Sequence, residues 1–138
     1  MSITTRVMQL AIAAAASFGA SSAFASGPSG IWYDHTGRGA VEITNCGNGL
    51  CGRVVWLKDS GNSKACGVQI ISNAKPTTPG TWDRGWIFDP ESGSRYSVEI
   101  KPMNGGKLQV MGYAGSKYLS ETMIWRRAPA DIKRCTSA

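Results

Sequence analysis

Polar and apolar residues alternate along most of the chain beyond residue 26. Tyr96, Val98 and Ile100 fall on one face of an extended segment, and Arg95, Ser97, Glu99 and Lys101 fall on the other. Val41 and Ile43 alternate with Glu42 and Thr44, and Leu108 and Val110 alternate with Lys107 and Gln109. A period of two marks half-buried antiparallel strands. Turn signals rich in Gly, Pro, Asn and Asp separate these runs, as in Gly47-Asn48-Gly49, Thr78-Pro79-Gly80 and Asn104-Gly105-Gly106. The pattern predicts eight strands, over residues 30–34, 40–46, 50–58, 68–72, 81–89, 95–102, 107–113 and 121–127. No long helical period competes with them. Residues 66–75 admit a helical turn, but Val68, Ile70 and Ile71 favour a strand.

Eight short strands joined by tight turns predict an up-and-down meander. The expected fold class is all-β, a small closed or nearly closed antiparallel barrel, because closure removes the exposed edges. An eight-stranded barrel is filled by side chains or holds one small ligand. An immunoglobulin-like sandwich is the competitor. Cys51 and Cys66 flank Trp56 too closely for its Cys…Trp…Cys framework.

The N-terminus reads differently. Met1 to Arg6 carries one positive side chain and no acid, and Val7 to Ala16 is apolar apart from Gln9. Ala23-Phe24-Ala25 then supplies small residues at both positions of an A-x-A cleavage site. This is the layout of a secretory signal peptide, residues 1–25, and it predicts a periplasmic or secreted protein. The expected domain is residues 26–138, with an irregular tail over 128–138. Removing 25 of the 138 residues leaves 113, and losing Arg6 changes the net charge from +6 to +5. The four cysteines all lie in the remaining part. In an oxidising compartment an even count reads as disulfides rather than a zinc site. Three pairings are open. Cys46 and Cys51 flank a short turn and face each other across a hairpin, which leaves Cys66 for Cys135.

Chemistry is sparse. One histidine, His35, excludes His-pair and His-triad metal sites and leaves little for Ser-His-Asp catalysis. Asp83, Asp89 and Glu91 lie close in sequence, as a glycosidase pair might. The run Asp89-Pro90-Glu91-Ser92-Gly93 is better explained as turn chemistry. No Gly-x-Ser-x-Gly elbow and no phosphate loop is present. The expectation is a non-enzymatic protein with no cofactor. The aromatic residues suggest a ligand cup at one barrel mouth. The candidate ligand-binding residues are Trp56, Trp82, Trp86, Tyr96, Tyr113 and Arg53, with Arg84, Arg95 and Arg126 as further anchors for an anion.

Several motifs occur in order along the chain. They are Gly30-Ile31-Trp32, the run from Leu50 to Lys58 (LCGRVVWLK), the run from Trp82 to Tyr96 (WDRGWIFDPESGSRY), Leu108 to Tyr113 (LQVMGY) and Thr122 to Arg126 (TMIWR). Together they resemble the exported bacterial family known as domain of unknown function 2147. The resemblance implies a small periplasmic β-barrel and brings no catalytic residues. The chain departs from it in a short segment between Lys58 and Cys66 and in a tail carrying Cys135. A looser resemblance is to lipocalins and calycins, in which a Gly-x-Trp near the first strand packs against an Arg of the last. It implies a barrel-end pair of Trp32 and Arg126, with the guanidinium over the indole.

These readings predict an exported barrel, a monomer or weak dimer, that binds a small or lipidic ligand or an envelope component. Nucleic acid is not an expected partner. The alternative is a protein-interaction module, such as an inhibitor of an exported enzyme.

Overall fold

The computed structural model describes residues 27–136, except residues 60 and 62. The signal peptide expected over residues 1–25 lies outside the described residues. Eight strands follow one another: β1 (Gly30–Tyr33), β2 (Gly39–Cys46), β3 (Gly49–Leu57), β4 (Gln69–Pro76), β5 (Trp82–Asp89), β6 (Ser94–Met103), β7 (Lys107–Ala114) and β8 (Ser116–Arg127). A 3-10 turn, Ser63–Ala65, lies in the β3–β4 connection. Each strand pairs antiparallel with the next, and β1 pairs with β8, so the sheet closes into a barrel.

Two strands, β4 and β8, run several residues beyond their sequence signals. β4 continues through Asn73-Ala74-Lys75-Pro76, where Asn73 takes a left-handed conformation with φ 53°. The β3–β4 register shifts twice, so simple alternation is lost there and Ile70 and Ile71 are both buried. β8 begins at Ser116 rather than near residue 121. The part of it that alternation failed to show, Lys117 to Ser120, is exposed, so no apolar face was required of it.

The alternation fills the barrel from every wall. Trp32, Ile43, Leu50, Ile71, Val98, Ile100, Leu108, Val110 and Trp125 form the buried interior. Trp125 stands opposite Leu108 across the β7–β8 ladder. A second, smaller cluster lies on the outer wall. Here Ile31, Ala40 and Ala128 are buried with Tyr33, Val55, Trp56 and Ile132 packed on them. Beyond β8, residues 128–136 form no strand or helix and cover this wall. This tail is held by Ile132, by the Cys66–Cys135 disulfide, by the Cys135 N–H bond to the Val55 carbonyl at 2.7 Å and by an Arg134–Glu42 ion pair. The other disulfide, Cys46–Cys51, spans the β2–β3 hairpin with Cα atoms 5.7 Å apart. Both sequence-expected pairings are therefore present.

In β5 the run Trp82-Asp83-Arg84-Gly85-Trp86 has a structural cause. The β5–β6 register shifts between Trp82 and Gly85, and Arg84 turns left-handed with φ 63°. The Asp83 carboxylate accepts the Arg84 N–H at 2.7 Å and holds this bulge. A Cβ on Gly85 would lie 2.5 Å from the Ala74 nitrogen and against the Ser72 carbonyl. Glycine is required there because the β4 backbone passes so close.

One barrel end is capped. The Trp32 indole N–H donates to the Pro28 carbonyl at 2.8 Å, and the guanidinium lying over its ring is that of Arg127, 3.9 Å from the centroid. This corrects the expected partner, Arg126. The ladder sets Trp32 opposite Arg127 and Tyr33 opposite Arg126, and a one-residue step in a strand exchanges the faces. Gly30 leaves room for this guanidinium, since a Cβ there would strike Arg127 Nη1. Arg127 also donates to the carbonyls of Ser29 at 2.7 Å and Gly27 at 3.0 Å.

Candidate functional site

The β1–β2, β3–β4, β5–β6 and β7–β8 connections all lie at the other end of the barrel. There the interior opens into a cup of about 860 Å³. Below a polar rim its wall includes the aliphatic residues Val54, Leu57, Ile70 and Ile87, with Met123. Trp125 is the deepest β8 residue in the lining. The volume falls within the range of small-molecule pockets. The interior adds few polar groups: the Tyr96 side chain, 43% exposed, the Glu121 carboxylate and the Trp125 indole. Glu121 stands opposite Gly112 in the β7–β8 ladder, two residues on from the Met123–Val110 pair, so it shares the inward face.

Of the six ligand-binding candidates, one lines this cup: Tyr96. The others stand elsewhere for reasons of register. Trp82 pairs with Ile100 and packs against the buried core without reaching the cup. Trp86 faces outward under the Arg95 guanidinium, 4.4 Å from its centroid. Arg53 is exposed and donates to the Gly67 carbonyl at 3.2 Å and the Gln69 amide oxygen at 3.0 Å. Trp56 meets Tyr33 edge to face at 5.4 Å. Both border a shallow external groove of about 500 Å³ that also takes in His35, Ile124 and Arg126. That groove lies on the outer wall and is smaller than the cup, so the cup is the stronger ligand site.

Tyr113 belongs to a polar cluster on the outer wall that sequence did not show. Its hydroxyl donates to Asp83 at 2.7 Å. Lys117 Nζ bridges Asp83, at 2.6 Å, and Glu99. Both carboxylates are buried. Burial works to raise the Asp83 pKa, but hydrogen bonds from Lys117, Tyr113 and the Arg84 N–H outweigh it and hold the carboxyl below its ordinary value. The hydrogen bonds to Asp83 and Glu99 push the Lys117 ammonium well above its ordinary value. Burial and the bond to Asp83 raise the Tyr113 phenol. Each charge is paired, which is the arrangement of a wall clamp between β5, β6, β7 and β8. The sequence carries no signal for this cluster, since the cation that pairs with Asp83 lies thirty-four residues away.

Asp83, Asp89 and Glu91, neighbours in sequence, separate in space. Asp83 is in the clamp. Asp89 accepts the Glu91 N–H at 2.9 Å and the Ser92 hydroxyl at 3.0 Å, and its own carbonyl accepts the Gly93 N–H, as turn chemistry requires.

A closed eight-stranded antiparallel barrel, capped at one end by a Trp–Arg pair and open at the other, defines a lipocalin-like fold. A similar solved structure is titled "Protein HP1028 from the human pathogen Helicobacter pylori belongs to the lipocalin family". It matches with a TM-score of 0.59 at 15% identity, over 73% of this chain and 82% of that one. That likeness is one of fold. More particularly, the family described as "Uncharacterized protein conserved in bacteria (DUF2147)" matches residues 30–127, and the chain belongs to it. The match runs from the first residue of β1 to the last of β8 and stops short of the Cys135 tail. Among curated proteins no significant match is found.

Proposed function

We propose that the protein is an exported, non-enzymatic binder that takes a small or lipidic ligand into the cup. The carrying observation is the cup itself: an open-ended space of about 860 Å³ with aliphatic residues in its wall, behind a capped floor. Two disulfides and the signal-peptide pattern support action outside the reducing cytoplasm. Asp83 and Glu99 are committed to Lys117, and Asp89 to a backbone N–H of its own turn, which supports binding over catalysis.

The test is titration with a neutral fluorescent apolar probe, N-phenyl-1-naphthylamine. Met123→Trp, which fills the cup, is expected to remove binding. Trp56→Ala, in the external groove, is expected to leave it intact. Binding that ignores Met123→Trp, or no binding by the unaltered protein, would overturn the reading.

A second reading is a protein-interaction module, such as an inhibitor of an exported enzyme. It is favoured by the β7–β8 hairpin tip, where Tyr118 is 98% and Leu119 69% exposed. A partner held by this tip would be lost on Tyr118→Ser and retained on Met123→Trp.

A further inference from the structure

The charge around the cup runs against the charge of the molecule. The chain carries 15 Lys and Arg against 9 Asp and Glu. Yet five carboxylates border the cup: Asp34, Asp59, Asp89, Glu91 and Glu121. The one Lys or Arg side chain among its lining residues is Arg38. Arg38 approaches Glu91 at 3.9 Å and offsets one of the five negative charges, so the mouth stays negative. Asp34, Asp59 and Asp89 accept hydrogen bonds in their own turns, which fix the carboxylates without neutralising them. A concave mouth lined by one sign of charge focuses the field and attracts the opposite sign.

Glu121 is the informative member. It is on the inward face of β8, beyond the turns that account for the three aspartates, and it has no ion pair among the described residues. Gly112 opposite offers no side chain to partner it. A second observation lies deeper. Trp125 is 2% exposed and lines the cup, and its buried indole N–H has no acceptor among the described residues. A buried donor left without an acceptor is costly, so a ligand oxygen that reached it would restore the loss. Four residues of strand separate Glu121 from Trp125, a span of about 13 Å. The wall beside that span is apolar, with Ile70, Ile87 and Met123.

We infer that the ligand is a cationic amphiphile, with its positive group beside Glu121, an apolar chain along the wall and an oxygen acceptor at its inner end. This rests on the cup being the binding site. An anionic amphiphile such as a fatty acid meets a mouth where five carboxylates outnumber one arginine.

The experiment compares three probes of equal chain length by calorimetry, below their micelle concentrations and at low ionic strength. They are decyltrimethylammonium, decanoate and (10-hydroxydecyl)trimethylammonium. Decyltrimethylammonium is expected to bind about tenfold more tightly than decanoate, with the ratio falling as salt is added. Glu121→Gln should reduce that ratio severalfold, by weakening decyltrimethylammonium binding more than decanoate binding. The terminal hydroxyl should tighten binding in the unaltered protein. Equal or tighter binding of decanoate would overturn the cationic assignment while leaving the cup reading intact. A ratio unmoved by Glu121→Gln would overturn the role of Glu121. Weaker binding of the hydroxylated probe would overturn the inner acceptor. Failure of all three probes, and of the neutral one, would overturn the cup reading itself.

Discussion

Arg127 lays its guanidinium on the Trp32 indole at 3.9 Å, and the two side chains reach back to carbonyls of the same short segment, Gly27 to Ser29. The pair joins the first strand to the last and seals the barrel floor. Arg127→Met should therefore lower unfolding stability by about 2 kcal/mol or more, through loss of the cation–π contact and of two charged hydrogen bonds. Arg126→Met should change it by less than about 0.5 kcal/mol, as expected for a surface position. Urea titration followed by tryptophan fluorescence measures both.

The close β4–β5 approach makes a sharper prediction. Gly85→Ala places a methyl group against the Ser72 carbonyl and the Ala74 nitrogen, which are backbone atoms with no rotamer to change. The expected cost is about 1–3 kcal/mol or more, since a filled site must push strands apart. Gly93→Ala, in open space but with φ 73°, should cost less, through conformational strain alone. Thermal unfolding of the two variants side by side checks the order.

The outer-wall clamp predicts a pH dependence. The folded-state pKa of Asp83 is depressed, so its contribution is complete above the ordinary aspartate value near 3.8 and is lost as pH falls through the lower folded value. Lys117 is raised, so its contribution is complete below the ordinary lysine value and is lost only in strong alkali. Stability should hold flat through neutral pH and fall in acid. Lys117→Met leaves two buried carboxylates without their shared cation. It should destabilise at pH 7, by less than a fully buried pair would because Lys117 is half exposed, and it should flatten the acid limb. Denaturation midpoints between pH 2 and 8 would show an unchanged acid limb if the clamp were inert.

The Cys66–Cys135 bridge closes a sequence separation of 69 residues. Replacing both cysteines by serine should cost about 2–4 kcal/mol in unfolding stability. It should also free the tail, so that proteolysis near Ile132 outpaces cleavage elsewhere. Equal protease resistance with and without the bridge would contradict this anchoring role.

The fold was largely legible because two-residue alternation and turn chemistry are local signals. Val41 and Ile43, Val98 and Ile100, and Leu108 and Val110 point inward as their spacing required. The cup was less legible. Aromatic residue type suggested Trp56, Trp86 and Tyr113, but their strand parity turns them outward, where Arg95, Tyr33 and Asp83 meet them. Parity alone pointed at Tyr96. The true lining draws on aliphatic residues such as Ile70 and Ile87, whose neighbours across two ladders decide whether they fill the core or border a space. Bulges near Ala40, Gly52 and Gly85 shift that parity, and a bulge leaves little trace in one sequence. The Arg126-for-Arg127 exchange has the same origin: adjacent arginines offer identical chemistry, and the β1–β8 register alone chooses between them.

The β1–β8 seam also sets an order of events in folding. Each of the other ladders joins neighbours in sequence and can zip as soon as its hairpin exists. The seam pairs Trp32 with Arg127, almost the full length of the described chain. A chain emerging N-terminus first can assemble β1 to β7 only as an open curved sheet with two bare edges, one of them waiting for the last strand. Trp32 has no guanidinium above it, and Cys66 has no partner, until residues 127 and 135 arrive. The interval before that arrival is when this protein is most exposed to edge-to-edge aggregation, and the last segment to appear both closes the barrel and locks it.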